Sequence, residues 1–177
     1  MFFHIVLERT MLLHPRFFGP KLRDTLTHQL LQDVEGRCDG KNGFIVAVTN
    51  VDPKGSGEIT SGTGMVKFPV SYNALVFRPF KGEVLECVVT QVFKMGFFAE
   101  AGPLQVFVSN HLIPDDLTFD STQEPCFKSD TGEWRIQKET EVRLKIVGMR
   151  IDATNISAIG TIKDDFLGEI RDDATGT

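Results

Sequence analysis

The stretch FRPFKGEVLECVVTQVFKMGFFAEAG, residues 77–102, decides the fold of the second half of the chain. It predicts two β-strands joined by the tight turn Lys94-Met95-Gly96, with aromatic side chains on both strands. Strand pairs of this kind occur in the small barrels that bind single-stranded nucleic acid. The first question is therefore whether the rest of the sequence completes such a barrel.

Further apolar segments at regular spacing supply the missing strands. Together with the first hairpin, they predict five strands at residues 83–93, 97–101, 104–109, 141–149 and 155–162. Five strands at this spacing favour an OB-type barrel. The polar segment 114–138 is too long for a plain turn, so we expect an excursion from the barrel, partly ordered around Phe119 and Trp134. The tail 171–177 is expected to be disordered.

The first half predicts an α+β domain over residues 1–80, with the boundary near Phe80–Gly82. A strand at 2–14 precedes a helix within 17–36, and strands follow at 44–51, 65–72 and 73–80. The helix has Pro20 in its first turn and Gly36 just past its end, while three leucines recur on one face, at positions 22, 26 and 30. Pro69 lacks an N–H and indicates a sheet edge or a bulge.

Composition and motifs argue against several classes of protein. The 177 residues are 41% hydrophobic and 24% charged, as in ordinary soluble globular proteins, and no apolar run approaches the 18 residues of a membrane span. The three cysteines form no CxxC pair, the histidines show no ligand spacing, and neither glycine cluster completes a phosphate-binding motif. We therefore expect a protein that is not an enzyme, with no catalytic residues, no metal and no cofactor.

The charge is unevenly distributed along the chain. The net charge is −5, yet residues 1–80 carry nine Lys/Arg against seven Asp/Glu, whereas residues 81–177 carry ten against seventeen. The half that predicts the barrel is thus the acidic half. Because phosphate binding scales with positive charge, any nucleic-acid role should be weak, local or assisted by a partner.

Candidate RNA-binding residues lie on the predicted barrel. In LQVFVSN, Leu104 and the alternating valines point one way, so Phe107 points away from the core. Phe98 on the preceding strand could stand beside it, and Lys94 or Lys145 nearby would complete a small stacking platform. Equally, Phe98 could face the core, or the excursion could cover both rings. The residues alone leave these alternatives open.

A second candidate surface is the glycine-rich loop after the helix. Gly36, Gly40, Lys41, Asn42 and Gly43 form a polar, hairpin-like segment that could make main-chain contacts in a partner's pocket. Alternatively, the segment is only an exposed, mobile connection between the helix and the strand that follows it.

Longer motifs resemble a known family. GEVLECVVTQVFKMGFFAEAGPLQVFVSNHLIP, with NISAIGTIK, resembles an S1-type OB domain. With LHPRFFGP, VEGRCDGKNGFIVAV, LVFRPFKGEV, FVSNHLIPDDLTF and IGTIKDDFLG, nearly the whole of residues 1–170 resembles the family of the seventh subunit of eukaryotic RNA polymerase II, which is related to the stalk protein of the archaeal RNA polymerase. MFFHIVLER and KMGFFAEAGP are most similar to plant or green-algal members.

The resemblance implies a nuclear, non-catalytic stalk subunit. Its parts would be an N-terminal truncated RNP-like domain and a C-terminal S1-type OB barrel. It would form a heterodimer with the fourth subunit, dock on the polymerase core near the clamp through the tip of the Gly36–Gly43 loop, and contact nascent single-stranded RNA. No membrane and no cofactor is implied.

The chain also departs from the S1 pattern. RNA-binding S1 domains typically have an aromatic residue before the turn glycine and a histidine in the third strand, where this sequence has Met95 and Phe107. A final-strand position that is often basic holds Asn155. Some RNA contacts typical of S1 domains are therefore lost, so strong autonomous RNA binding is not expected.

Two alternatives to a polymerase II subunit stay open. One is a paralogous subunit of polymerase III or of a plant-specific polymerase, although FRPFKGEV favours polymerase II. The other is a free-standing S1-type RNA-binding protein of translation or decay.

Overall fold

A computed structural model describes residues 1–121, 124–129 and 134–170 of the chain. These divide into two units, Met1–Arg78 and a second that begins at Pro79. The division falls slightly before the join that the sequence suggests at Phe80–Gly82.

The N-terminal unit is a single antiparallel sheet with one helix. Its elements are β1 (Phe2–Leu13), α1 (Leu22–Val34), β2 (Cys38–Asp39), β3 (Gly43–Pro53), β4 (Glu58–Ile59) and β5 (Val66–Phe77). The strand order is β1-β5-β3-β2, with β4 also paired to β5. A short 3-10 helix, Pro15–Phe17, precedes α1.

Helix α1 covers one face of this sheet because its apolar residues recur every fourth position. Leu26, Leu30 and Val34 are buried and pack in one core with Met11, Leu13 and alternate residues of β5. The predicted helix is confirmed, although it begins at Leu22 rather than near residue 17. Gly36, just beyond its end, has φ +73°, a left-handed conformation that glycine adopts without steric cost.

The region around Pro69 differs from the sequence prediction. The sequence predicts two strands over residues 65–80 with Pro69 at an edge or bulge, but β5 is one strand in the centre of the sheet. Thr10 of β1 pairs with Pro69 on one side. On the other side of β5, the pairing with β3 ends at Val70 and the pairing with β4 begins at Lys67. Pro69 therefore lies between two partner strands, where only its carbonyl is used, as acceptor for the Lys54 N–H at 2.9 Å.

The C-terminal unit is almost entirely β. Its strands are β6 (Val84–Phe93), β7 (Gly96–Ala101), β8 (Leu104–Ser109), β9 (Leu117–Asp120), β10 (Cys126–Ser129), β11 (Arg135–Ile136), β12 (Glu141–Ile151), β13 (Ile156–Thr161) and β14 (Gly168–Glu169). A 3-10 helix, Asn110–Leu112, follows β8.

Five of these strands close into a barrel. The order β13-β8-β7-β6-β12 is completed by pairing between β12 and β13, and the β8–β13 pair is parallel. Fully buried side chains from the strands, including Phe97, Leu104, Leu144 and Ile146, fill the interior. The predicted α+β and all-β classes, with an OB-type barrel in the second half, are confirmed.

The excursion forms a small sheet of its own, in the order β11-β10-β9. Phe127 is buried and connects this sheet to the barrel core, since its ring centroid lies 5.5 Å from that of Phe119 and 6.5 Å from that of Phe97. Trp134 packs over Gly168, where a Cβ would approach the indole to 2.3 Å. Parts of the predicted excursion, 122–123 and 130–133, and the tail 171–177 lie outside the described residues. Within the described ranges, no helix has the length and apolarity needed to cross a membrane.

Candidate nucleic-acid interface

Phe98 and Phe107 stand side by side on the outside of the barrel. They are directly paired in the β7–β8 register, and their ring centroids lie 4.9 Å apart at 45°. Their chain neighbours Phe97 and Val106 are fully buried in the core, whereas both rings of the pair are half-buried. The outward orientation predicted for Phe107 is confirmed, and the alternative that Phe98 faces the core is wrong.

A third ring, Phe93, joins this pair, and local sequence patterns do not indicate it. Its centroid lies 6.2 Å from that of Phe98, edge to face, and the side chain is 47% exposed. Strict alternation from Cys87 and Val89 would have turned Phe93 inward. The register of β6 shifts at Thr90, however, so that Val92 faces the core and Phe93 faces out. The bulge is held by a 3.3 Å hydrogen bond that the Thr90 hydroxyl donates to the Phe98 carbonyl.

An aliphatic side chain continues the row on the other side of Phe107. Ile159 of β13 pairs with Phe107 in register and is 49% exposed. Phe93, Phe98, Phe107 and Ile159 therefore form a continuous apolar surface across β6, β7, β8 and β13, which we call the aromatic strip. Flat rings presented in a row are suited to stacking with bases of any sequence.

A cavity of about 490 Å³ lies at the Phe93 end of the strip. Thr90, Gln91, Glu124 and Lys138 contribute hydrogen-bonding groups to its wall, so a carboxylate lines the same space as the lysine. Phe93 and Pro125 contribute apolar surface. The volume lies within the range of small-molecule and nucleotide sites. Lys138 adds a cation that sequence reasoning missed, because it belongs to the far end of the excursion and no local pattern links it to the strip.

The two lysines predicted to assist RNA binding have different surroundings. Lys94 lies in the two-residue turn between β6 and β7 and is exposed. Lys145 points outward from β12, but its ammonium donates to the Asp164 carboxylate at 3.0 Å. Lys94 is thus next to the aromatic strip in the chain, whereas the charge of Lys145 is largely compensated.

The Gly36–Gly43 loop is a β-hairpin. Cys38 and Asp39 of β2 pair with Phe44 and Gly43 of β3, so Gly40-Lys41-Asn42 is the turn. The Asp39 carboxylate accepts from the Lys41 backbone N–H at 3.1 Å and from the Asn42 side-chain amide. These bonds fix the turn and leave the Lys41 side chain exposed at its tip.

Gly36 and Gly43 are needed for the backbone conformation of this loop. Gly43 has φ +101°, is buried, and lies where a Cβ would come within 2.5 Å of the Phe77 carbonyl oxygen. Gly36 is exposed at the helix end, and its N–H donates to the Ile45 carbonyl at 2.9 Å. Nearby, burial and the Asp39 carboxylate both raise the pKa of the Cys38 thiol, so this side chain remains neutral at physiological pH.

Both halves match known domain families. Residues 8–64 match the SHS2 domain found in the N terminus of Rpb7p/Rpc25p/MJ0397, and residues 78–158 match the S1 RNA binding domain. A Glycine max protein named DNA-directed RNA polymerase II subunit RPB7 is 64% identical over 175 residues, covering 99% of each chain. The chain belongs to the RPB7 family. An Arabidopsis thaliana relative, DNA-directed RNA polymerase II subunit 7, is 62% identical and covers 98% of this chain and 99% of its own.

The sequence identity differs between relatives from polymerase II and a relative from polymerase V. The Arabidopsis protein named DNA-directed RNA polymerase V subunit 7 is 34% identical over 159 residues, covering 88% of each chain. The chain is therefore much closer to the RPB7 proteins of polymerase II than to this polymerase V relative. In the RPB7 family member described here, the aromatic strip lies on the S1 domain and the Gly36–Gly43 loop on the SHS2 domain.

Proposed function

We propose that the protein is a non-catalytic stalk subunit of DNA-directed RNA polymerase II in the nucleus. It forms a heterodimer with the fourth subunit, docks on the core near the clamp, and contacts emerging RNA during initiation and elongation. The observation that carries this proposal is the identity of 62–64%, over nearly the full length, to plant proteins named as RNA polymerase II subunit 7. The lower identity to the polymerase V subunit favours polymerase II over a plant-specific paralogue.

RNA contact is assigned to the aromatic strip. Each base stacked on a ring contributes roughly 1–3 kcal/mol, and this contribution is tolerant of sequence. The cations available to hold phosphates are sparse: Lys94 is exposed, Lys138 lines the neighbouring cavity, and Lys145 is paired with Asp164. With seventeen acidic against ten basic residues in 81–177, the isolated domain should bind RNA weakly. The polymerase brings the transcript to the strip, which then guides it.

Core docking is assigned to the Gly36–Gly43 loop. Its turn is fixed by Asp39, and a pre-ordered hairpin loses little conformational entropy on entering a partner's pocket. Lys41 and Asn42 are the side chains presented, with the backbone of Gly40, whereas Gly36 and Gly43 set the shape of the loop. The role needs no catalytic residue, because the chain contributes binding surfaces only.

The decisive experiment is affinity purification of the tagged full-length chain, with identification of the co-purifying subunits and ultraviolet crosslinking of bound RNA. Recovery of the fourth subunit with the polymerase II core is expected. Recovery of polymerase III or plant-specific subunits instead would assign the chain to a paralogous complex. If neither a fourth-subunit partner nor a polymerase core were recovered, the proposal would be wrong.

A free-standing S1-type RNA-binding protein is the second candidate, and the match to the S1 domain is the observation that favours it. It predicts appreciable RNA affinity for the isolated chain, falling steeply with salt. Binding that is undetectable at moderate salt would eliminate it.

A further inference from the structure

Phe166 lies in the loop 162–167 between β13 and β14, and its side chain is 93% exposed. In the described part of the chain, no other large hydrophobic residue is so exposed; Ile59 follows at 76%. Single exposed apolar residues are common on protein surfaces, so exposure alone means little. The backbone at this position supplies the second observation.

Phe166 has φ +65°, in the left-handed region. Among the non-glycine residues that the structure describes, only Glu139 shares this feature, with φ +70°. For a bulky side chain the conformation is strained, whereas glycine or asparagine adopts it readily. An aromatic residue here therefore costs stability through its backbone conformation, while its exposed ring contributes almost no hydrophobic stabilisation to the isolated chain. Strain of this kind is concentrated at functional positions.

Hydrogen bonds and packing hold the loop that carries the Phe166 ring at both of its ends. Before Phe166, the Asp164 carboxylate accepts from Lys145 at 3.0 Å, and the Asp164 carbonyl accepts from the Leu167 N–H at 3.3 Å. After it, Gly168 packs beneath Trp134, and Ile170 donates to the Glu141 carbonyl at 2.9 Å. The ring is thus presented on a pre-ordered support, which lowers the entropic cost of binding.

The charges beside the ring indicate the kind of partner. Lys145 pairs with Asp164, and Lys163 pairs with Asp115 at 3.2 Å. Among the described residues, no ion pair forms with Asp165, the immediate neighbour of Phe166. The local excess charge is therefore negative, which repels RNA phosphates and complements a basic protein surface.

We propose that Phe166 is an anchor residue that inserts into an apolar pocket, rimmed by lysine or arginine, on another protein subunit of the polymerase. This inference rests on the proposed function, since it assumes a multisubunit assembly. Buried aromatic anchors surrounded by polar contacts dominate the binding energy of many protein interfaces.

The test uses Phe166→Asn in the full-length chain, because asparagine keeps the left-handed backbone and removes the ring. Glu139→Asn is the control: it places the same residue at the other left-handed position, where no ring is lost. Two binding partners serve as probes, the purified fourth subunit and purified polymerase core that lacks the stalk. Thermal unfolding of each variant is measured in parallel.

We expect Phe166→Asn to bind one of the two probes about 10- to 100-fold more weakly, as for the loss of a buried phenyl group. Its melting temperature should be unchanged or higher, and Glu139→Asn should bind like the native chain. Native affinity of Phe166→Asn for both probes, or a clear loss of its thermal stability, would overturn the inference. A photo-crosslinking residue at position 166 that reacts with RNA rather than protein in the assembled polymerase would also overturn it. If the native chain itself binds neither probe, the proposed function fails together with the inference.

Discussion

The rings of Phe98 and Phe107, nine residues apart in sequence, lie 4.9 Å apart on the outer face of the barrel. Their pairing across β7 and β8 orders two flat apolar surfaces side by side before any ligand arrives. Because every base has a flat π-face, this arrangement favours contact with single-stranded RNA without sequence preference.

Phe98→Ala combined with Phe107→Ala should weaken RNA crosslinking in the assembled polymerase. Loss of stacking worth roughly 1–3 kcal/mol per base corresponds to a decrease of about tenfold or more. Val84→Ala is the control, since Val84 is 49% exposed on the same barrel but does not belong to the aromatic strip. Crosslinking at the native level would show that the rings do not contribute to RNA contact. Loss of subunit assembly in the double variant would show that the rings are structural.

Gly96→Ala should destabilise the barrel strongly. A Cβ at this position, with φ +143°, would lie 2.1 Å from the Val108 carbonyl oxygen, so β7 and β8 would have to separate. We expect a loss of unfolding free energy on the order of 3 kcal/mol or more in denaturant titrations. Gly102→Ala is the control: it has φ +59° but open space around it, and should cost only about 1–2 kcal/mol. Equal losses for the two variants would contradict the clash.

Asp164→Asn should release Lys145 for phosphate contact. Both partners of this ion pair are about half exposed, so the cost in stability should stay below about 1 kcal/mol. RNA affinity at low salt should rise by about two- to fivefold, with a steeper salt dependence, since one more phosphate is neutralised. Asp115→Asn makes the same change in charge at the Lys163 pair. If both variants raised the affinity equally, the effect would come from net charge and not from Lys145.

Lys41→Glu should weaken docking of the heterodimer on the polymerase core. The side chain is exposed at the tip of a hairpin turn fixed by Asp39. Reversing a charge at an interface typically changes affinity by about 3- to 30-fold, measured here by titrating heterodimer onto core polymerase. Lys21→Glu, exposed at the start of α1, is the matched control. The prediction fails if Lys41→Glu docks normally, or if it disrupts pairing with the fourth subunit.

Cys87 should make the stability of the protein fall in alkaline solution. Burial raises the pKa of its thiol from the ordinary 9.0 to about 12. Between these values the unfolded chain has lost the proton and the folded chain retains it, so unfolding becomes more favourable as the pH rises. The stabilisation is complete below pH 9 and is lost towards pH 12.

Cys87→Ala should flatten this alkaline decline in denaturation midpoints measured across that pH range. Val142→Ala is the control, because Val142 pairs with Cys87 in register and leaves a cavity without removing a titrating group. It should lower the midpoints at every pH and keep the slope. An unchanged slope for Cys87→Ala would contradict the prediction.

The sequence by itself determined the five barrel strands, the main helix and the class of the fold. Alternation over Leu104, Val106 and Val108 is local information, because a β-strand turns every second side chain to the same face. The same rule predicted correctly that Phe107 points outward, and motif resemblance correctly indicated the S1 domain and the RPB7 family.

Only the tertiary structure decided which residues complete each surface. The bulge at Thr90 depends on how β6 pairs with β7, and it alone brings Phe93 into the aromatic strip. Pro69 is tolerated in a central strand because two different partners end on either side of it. Lys145 meets Asp164 only because the loop after β13 folds back beside β12. Strand pairing and chain reversal join residues that are distant in sequence, and local patterns carry no information about such contacts.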